Sequence, residues 1–249
     1  MELKENERID TVNDGLRLIS NEGHLAFGSD ALLLAGYLGK GENAAELGAG
    51  NGVVSLLAAL RRKFAHIDGI ERQKEAFDLF ERNIVLNGLC DRVRALHYDL
   101  RELPEEFSGK YDCVFSNPPY MKEGAGKTCA SDARQAARHE TAGDIFDFCI
   151  AAARLLRYGG EAVFVYRPDR LCDLMNAMRK SGVEPKRMTS VCADAMHAPS
   201  VVLICGKKGG APGLFVGPTF YISELSGEKT EDYRKLMKEG KFDERYRNP

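Results

Sequence analysis

From residue 43 onward, short apolar runs of strand length alternate with longer amphipathic stretches of helix length. The runs are NAAEL (43–47), HIDGIE (66–71), VRALHY (93–98), YDCVFS (111–116), EAVFVY (161–166), EPKRMTSV (184–191) and SVVLICG (200–206). Helices are expected between them over 52–63, over 73–87 before Gly88, over 141–157 before a Tyr-Gly-Gly stop, and over 168–181 with Pro168 in the first turn. Alternation of this kind builds a mostly parallel sheet, because each helical crossover returns the chain to the same edge. The predicted fold is α/β, a Rossmann-like seven-stranded sheet with helices on both faces.

Ahead of the sheet, VNDGLRLI (12–19) sets Asp14-Gly15 between apolar segments and reads as a hairpin turn. FGSDALLLAGYL (27–38) reads as a short helix capped by Ser29 or Asp30. Residues 1–40 are therefore expected to form a hairpin-and-helix extension on a core domain of residues 41–225. Residues 226–249 carry many charges and few apolar side chains, and read as a partly disordered tail.

Composition narrows the functional classes. At 249 residues the chain is long enough for one large domain with a real core. No apolar stretch approaches the roughly 18 residues needed to span a bilayer, and the start, MELKENERID, is charged, so a cytoplasmic address is expected. The seven cysteines form no C-x-x-C pair and the five histidines no ligand spacing, so reduced thiols and no metal are expected. A net charge of −2 argues against a broad basic coat for nucleic acid. Arg61, Arg62 and Lys63 read as cations closing a helix.

Chemistry begins at AELGAGNGVV (45–54), where Gly48, Gly50 and Gly52 lie between a strand and a helix. Missing side chains there let the backbone turn and approach a ligand at the helix start. Glu71 ends the second run, where an acid accepts from ribose hydroxyls, and Asp99, with Leu100 beside it, ends the third, where it can accept from an adenine amino group. Glu46 precedes the glycines, an acid that repels phosphate and suits a cation. S-adenosylmethionine, with an ammonium, a sulfonium and no phosphate, fits this set better than a dinucleotide.

The fourth run ends on SNPPY, residues 116–120. Two prolines neither extend a helix nor donate to a ladder, and so stiff a loop holds something in place. In order and at strand ends, ELGAGNG, GIE, HYDL and NPPY resemble the class I S-adenosylmethionine-dependent methyltransferases of the N6-adenine and N5-glutamine type. FGSDALLLAGY, NPPYMKEG, ARHE, LLRYGGEAVFVYRPDRL and LICGKKGG are similar to the family that methylates N6 of an adenine beside the anticodon of a valine tRNA. The likeness runs from about residue 6 to about residue 225.

The resemblance implies that the Asn117 side-chain oxygen and the Pro118 carbonyl accept the two N–H groups of a planar amine. Tyr120 would stack on the base, with Pro119 beside it. Glu46 would hold the methionine ammonium through water, Glu71 the ribose and Asp99 the adenine of the cofactor. Phe27 and Asp30 resemble a segment beside the methionine end, and fit core packing and helix capping equally well. Residues 121–140 read as a loop able to close over a base. GAGKT (124–128) within it is not a phosphate loop, since Met121 stands where the first glycine belongs. Arg134, Arg138, His139, Arg167 and Arg170 are candidates for phosphate contact, or are solvated charges. The expected partner is a structured RNA loop such as that of tRNA, with monomer and homodimer both open. A glutamine side chain of a release-factor-type protein, or cofactor binding without catalysis, are the alternative readings.

Overall fold

The computed structural model describes residues 3–21, 28–119 and 143–247. All seven runs expected from residue 43 onward are strands: β3 (Gly41–Leu47), β4 (Phe64–Glu71), β5 (Val93–His97), β6 (Tyr111–Ser116), β7 (Leu156–Tyr166), β8 (Val183–Cys192) and β9 (Val201–Lys208). Two further strands, β10 (Phe215–Val216) and β11 (Phe220–Tyr221), pair with β8, bringing the sheet to nine. The order is β10-β8-β9-β7-β6-β3-β4-β5, with β9 antiparallel to both of its neighbours.

The α-helices among the described residues are α1 (Ser29–Tyr37), α2 (Val53–Leu60), α3 (Lys74–Leu86), α4 (Ile145–Leu155), α5 (Leu171–Lys180) and α6 (Glu231–Glu239). Strand alternation sorts their partners. Ala44, Cys113, Phe115, Val163 and Val165 face one cluster with Leu33, Tyr37, Leu56, Leu57 and Phe80 of α1, α2 and α3. Ala45, Leu47, Val114, Ala162 and Phe164 face the other, with Phe148, Leu155, Leu174 and Met178 of α4 and α5. β3 has β4 on one side and β6 on the other, so the strand order reverses there. In open α/β sheets the carboxyl ends of the strands at such a reversal leave a crevice for a ligand.

Strands β1 (Glu7–Thr11) and β2 (Arg17–Asn21) form the expected hairpin. Asp14 (φ 62°) and Gly15 (φ 73°) both take the left-handed conformation that Asp-Gly turns supply. The hairpin docks on α3 through polar bonds. Asn83, wholly buried, accepts from the Ile19 N–H at 2.8 Å and donates to the Asn51 carbonyl at 3.0 Å. Asn87 accepts from the Arg17 N–H and donates back to the Arg17 carbonyl, and Arg82 pairs with Glu7 at 2.7 Å. Helix α1 is capped by the backbone of Gly28, with no cap from Ser29 or Asp30.

The end of the chain departs from the expected disorder. Thr230 caps α6 by accepting from the Tyr233 N–H, and Gly240 (φ 65°) ends it. Leu236, Phe242 and Tyr246 are buried. Phe242 meets Tyr37 edge-on at 5.3 Å and Phe220 at 4.7 Å. Charged residues surround these three apolar side chains in the sequence and mask them in any averaged polarity. The Arg61–Lys63 segment also differs from a solvated helix end. The Arg61 Nε donates to Asp14 at 2.9 Å, and Lys63 is buried, donating to the Gly36 and Leu38 carbonyls at 3.1 and 2.8 Å. Lys63 thus serves the carboxyl end of α1, not of the helix that precedes it. Burial pulls its ammonium down to about 7.

Candidate active site

The glycine loop is tied to the end of β4. The Gly48 and Ala49 N–H groups both donate to the Ile70 carbonyl, at 2.9 and 3.0 Å. Glu71, 7% exposed, accepts from the Gly50 N–H at 2.9 Å through one oxygen and from the Gln73 N–H at 2.7 Å through the other. Gly50 (φ 57°) needs its left-handed backbone, and a side chain there would meet nothing within 4 Å, so that face of the loop is open. Gly52 (φ 84°) does different work: an added Cβ would lie 1.9 Å from the Phe80 ring. Its missing side chain admits the core of α3, and Gly52 does not line the cavity beside the loop.

That cavity, of about 370 Å³, is lined by Gly48, Gly50, Glu71, Asp99, Leu100, Asn117 and Pro119 among the expected residues. Ile70, Arg72, Gln73, Ala76, Tyr98 and Phe148 complete it. Asp99 caps a short 3₁₀ turn over Leu100–Glu102 and is gripped by Arg101, whose Nη2 lies 2.6 Å from Oδ2. The Arg101 hydrogen bonds, with the charges of Arg101 and Arg72, hold the Asp99 carboxyl below its usual range.

Glu46 is not where the resemblance implies. On β3 it shares a face with Ala44, so it points toward α2, and it is 2% exposed. One of its oxygens accepts from the Ser55 N–H at 3.0 Å and the Ser55 hydroxyl at 2.5 Å, and it does not line the cavity. Burial pushes its carboxyl up to about 8, against the Ser55 hydrogen bonds and with help from the Glu71 charge. Such a group keeps its proton in the folded chain and loses it in the unfolded one. Its contribution to stability is full below pH 4.5 and is lost as pH rises to about 8. Glu46→Gln keeps an oxygen for Ser55 and carries no charge. Urea melts across that window should therefore favour the variant progressively, by on the order of 1 kcal/mol per pH unit. Lys63 titrates in the opposite sense in both proteins and cancels from the difference. Parallel stability curves would show that Glu46 is ionised in the fold.

At β6 the sheet hands over to the proline loop. Backbone pairing with β3 reaches Glu46 and Phe115, and beyond it the buried Ser116 hydroxyl donates to the Leu47 carbonyl at 2.7 Å. That bond joins the residue before Asn117 to the residue before Gly48, so both loops leave the sheet as one unit. Asn117 and Pro119 are half-buried and Pro118 is buried. Arg167 makes a two-point pair with Asp169 and lies outside this cavity, while Arg170 pairs with Asp173 and lines an adjoining one. Asp30 sits in the first turn of α1 and does not line the cavity. Phe27, Tyr120, Arg134, Arg138 and His139 lie outside the described residues. Ser116 and Phe148 were missed by sequence reasoning. The serine has a signal, a hydroxyl in a buried strand next to the prolines; Phe148 has none until α4 is packed over the loop.

Among the described residues no group of three or more potential ligands is placed to hold a metal, and no helix is long and apolar enough to cross a membrane. A sheet of this order, with a glycine loop and a proline loop side by side at its point of reversal, defines the class I methyltransferase fold. The chain belongs to the family described as methyltransferase small domain, whose pattern matches residues 20–180. It is 26% identical over 223 residues to a protein of Shewanella sediminis (strain HAW-EB3), covering 84% of this chain and 89% of that one. It is 28% identical over 137 residues to one of Histophilus somni (strain 129Pt), covering 54% and 57% of the two chains, so that match spans little more than half of that relative. Both relatives are named tRNA1(Val) (adenine(37)-N6)-methyltransferase. Among solved structures, a predicted O-methyltransferase from Agrobacterium tumefaciens superposes with a TM-score of 0.70 at 20% identity, over 86% of this chain and 98% of that one.

Proposed function

We propose that this protein transfers a methyl group from S-adenosylmethionine to the exocyclic N6 of an adenine in RNA, an anticodon-loop adenine of tRNA. The observation that carries the reading is the Ser116–Leu47 bond, which sets Asn117, Pro118 and Pro119 against the glycine loop at the reversal of the sheet. The names of the two relatives supply the substrate.

The cavity suits the donor. Its 370 Å³ lies within the range of small-molecule sites, and two carboxylates stand in it at adjacent strand ends. Each Glu71 oxygen has a second acceptor direction beyond its backbone N–H, available to ribose hydroxyls. Asp99, already oriented by Arg101, retains acceptor capacity for an adenine amino group. Glu46 acts from beneath, holding the first turn of α2 under the loop through Ser55.

When bound, S-adenosylmethionine offers an electrophilic methyl on a sulfonium; the S–C bond breaks, an N–C bond forms and one amine proton leaves to solvent. The chain's own part is to prepare the amine. An adenine amino group is a weak nucleophile because its lone pair is delocalised into the ring. The Asn117 oxygen and the Pro118 carbonyl accept from its two N–H groups, draw it out of conjugation and stabilise the positive charge that develops there. The prolines keep those acceptors in place before the base arrives, so little freedom is lost on binding.

Incubation with methyl-labelled S-adenosylmethionine and, separately, unmodified tRNA or release factor tests the reading. N6-methyladenosine in the digested RNA is the expected product. Methylglutamine in the digested peptide would replace the reading with protein methylation, and label in neither would refute it.

A further inference from the structure

Asp99 follows the end of β5 at His97 and caps the 3₁₀ turn of Leu100–Glu102 from an extended backbone (φ −77°, ψ 130°). That backbone brings its carboxylate back over the turn, where Oδ1 accepts from the Arg101 N–H at 3.0 Å. The side chain of the same arginine returns to it, Nε to Oδ1 at 2.9 Å and Nη2 to Oδ2 at 2.6 Å. A planar fork on a planar carboxylate fixes its tilt as well as its position. Among the described residues Asp99 lines the donor cavity and Arg101 does not, so the guanidinium holds the carboxylate from outside that space.

The two oxygens are not equivalent. A carboxylate offers about four acceptor directions, two on each oxygen. Among the described residues Oδ1 accepts twice, both times from Arg101, and Oδ2 accepts once. Arg72, also at the cavity, brings its Nε to 3.9 Å from Oδ2, a separation for ion pairing and too long for a hydrogen bond. Oδ2 therefore keeps one direction, on a side chain that is 15% exposed. The Arg101 hydrogen bonds hold the carboxyl below its usual range, so the group stays ionised. An ionised oxygen accepts and cannot donate. An amino group satisfies it, whereas a carbonyl oxygen meets it lone pair to lone pair.

Resting on the donor reading above, we propose that Arg101 is a positioning residue: it turns Asp99 so that Oδ2 alone accepts from the amino group of the cofactor's adenine, and thereby makes the site prefer adenine to hypoxanthine in the cofactor. Hypoxanthine carries a carbonyl oxygen at the six-position and a hydrogen on the neighbouring ring nitrogen. A carboxylate free to turn accepts from that ring N–H and loses the preference. A fixed one does not. Arg101 acts on the cofactor only through Asp99.

Calorimetric titration of the full chain with S-adenosylhomocysteine, and with S-inosylhomocysteine as its six-oxo counterpart, tests this. The wild type should hold the adenine ligand about 10- to 100-fold more tightly, the effect of a hydrogen bond to a charged group. Arg101→Ala should weaken the adenine ligand and bring the two affinities to within about threefold of each other. A merely structural role would weaken both ligands alike and leave their ratio in place. Arg101→Lys keeps the positive charge without the fork, and should show the ratio of the alanine variant; it also carries the test where alanine gives too little folded protein. A wild-type ratio retained in Arg101→Ala or Arg101→Lys overturns the proposal, the second by making charge and not orientation the determinant. Equal affinity of the wild type for the two ligands overturns it as well, as does a ratio lost in Arg72→Ala and kept in both Arg101 variants. Failure of the wild type to bind S-adenosylhomocysteine, or binding that Asp99→Ala leaves unchanged, is a different result, since it removes the donor reading on which the proposal stands.

Discussion

Asn117→Ala is expected to lower turnover by ~10²-fold or more while keeping affinity for S-adenosylhomocysteine within several-fold, as when one preorganised polar group is removed from a developing charge. The asymmetry follows from where the residue stands. Asn117 lines the donor cavity from the loop after β6, whereas Glu71, Asp99 and the glycines line it from the ends of β4, β5 and β3. Binding therefore survives the truncation. The chemical step does not, because the amine loses one of two acceptors that distinguish its tetrahedral form from its planar one. Single-turnover rates with saturating RNA, set beside calorimetric titration of the cofactor product, separate the two effects. Turnover equal to that of the wild type would show that the proline loop is not where methyl transfer occurs.

The second large effect lies far from the chemistry. Phe242→Ala should destabilise the protein by about 3–5 kcal/mol, the range for deleting a buried aromatic ring. For a domain of this size that corresponds to a fall in Tm of roughly 6–20 °C. Phe242 is 3% exposed and contacts the rings of Tyr37, Phe220 and Tyr246. Its backbone N–H also reaches the Gly36 carbonyl, which Lys63 shares. Removing the ring opens a void under α1 that these neighbours cannot all fill. Leu225→Ala, at a side chain 69% exposed, is the control and should shift stability by less than about 0.5 kcal/mol. A melting curve for Phe242→Ala that overlays the wild type would mean the last twenty residues add nothing to the core.

What could be read from the chain beforehand divides along physical lines. Strands β3 to β9 were legible because their apolar or alternating runs are of strand length and bounded by glycine, proline or charge. The glycine loop, Glu71 and Asp99 were legible because strand ends on one edge converge whatever the packing above them. Glu46 was not, since its direction depends on which face of β3 receives α2, and Ser55 sits nine positions later in another element. Strands β10 and β11 are two residues each, too short for any alternation to register. The burial of Leu236, Phe242 and Tyr246 depends on partners near the opposite end of the sequence, Tyr37 foremost. The partners of Arg61 and Lys63 lie 25 to 47 positions away, in other elements, and a local reading assigns such cations to the nearest helix end by default.

The Asn83 amide, clasped between the Ile19 N–H and the Asn51 carbonyl, makes the amino-terminal hairpin a neighbour of the donor site at one remove. Grafting a foreign recognition module in place of the hairpin would leave that amide without its donor partner and loosen the loop it braces. Chimeras of this scaffold should therefore be spliced upstream of Glu7, keeping the hairpin of residues 7–21 as a fixed part of the catalytic body.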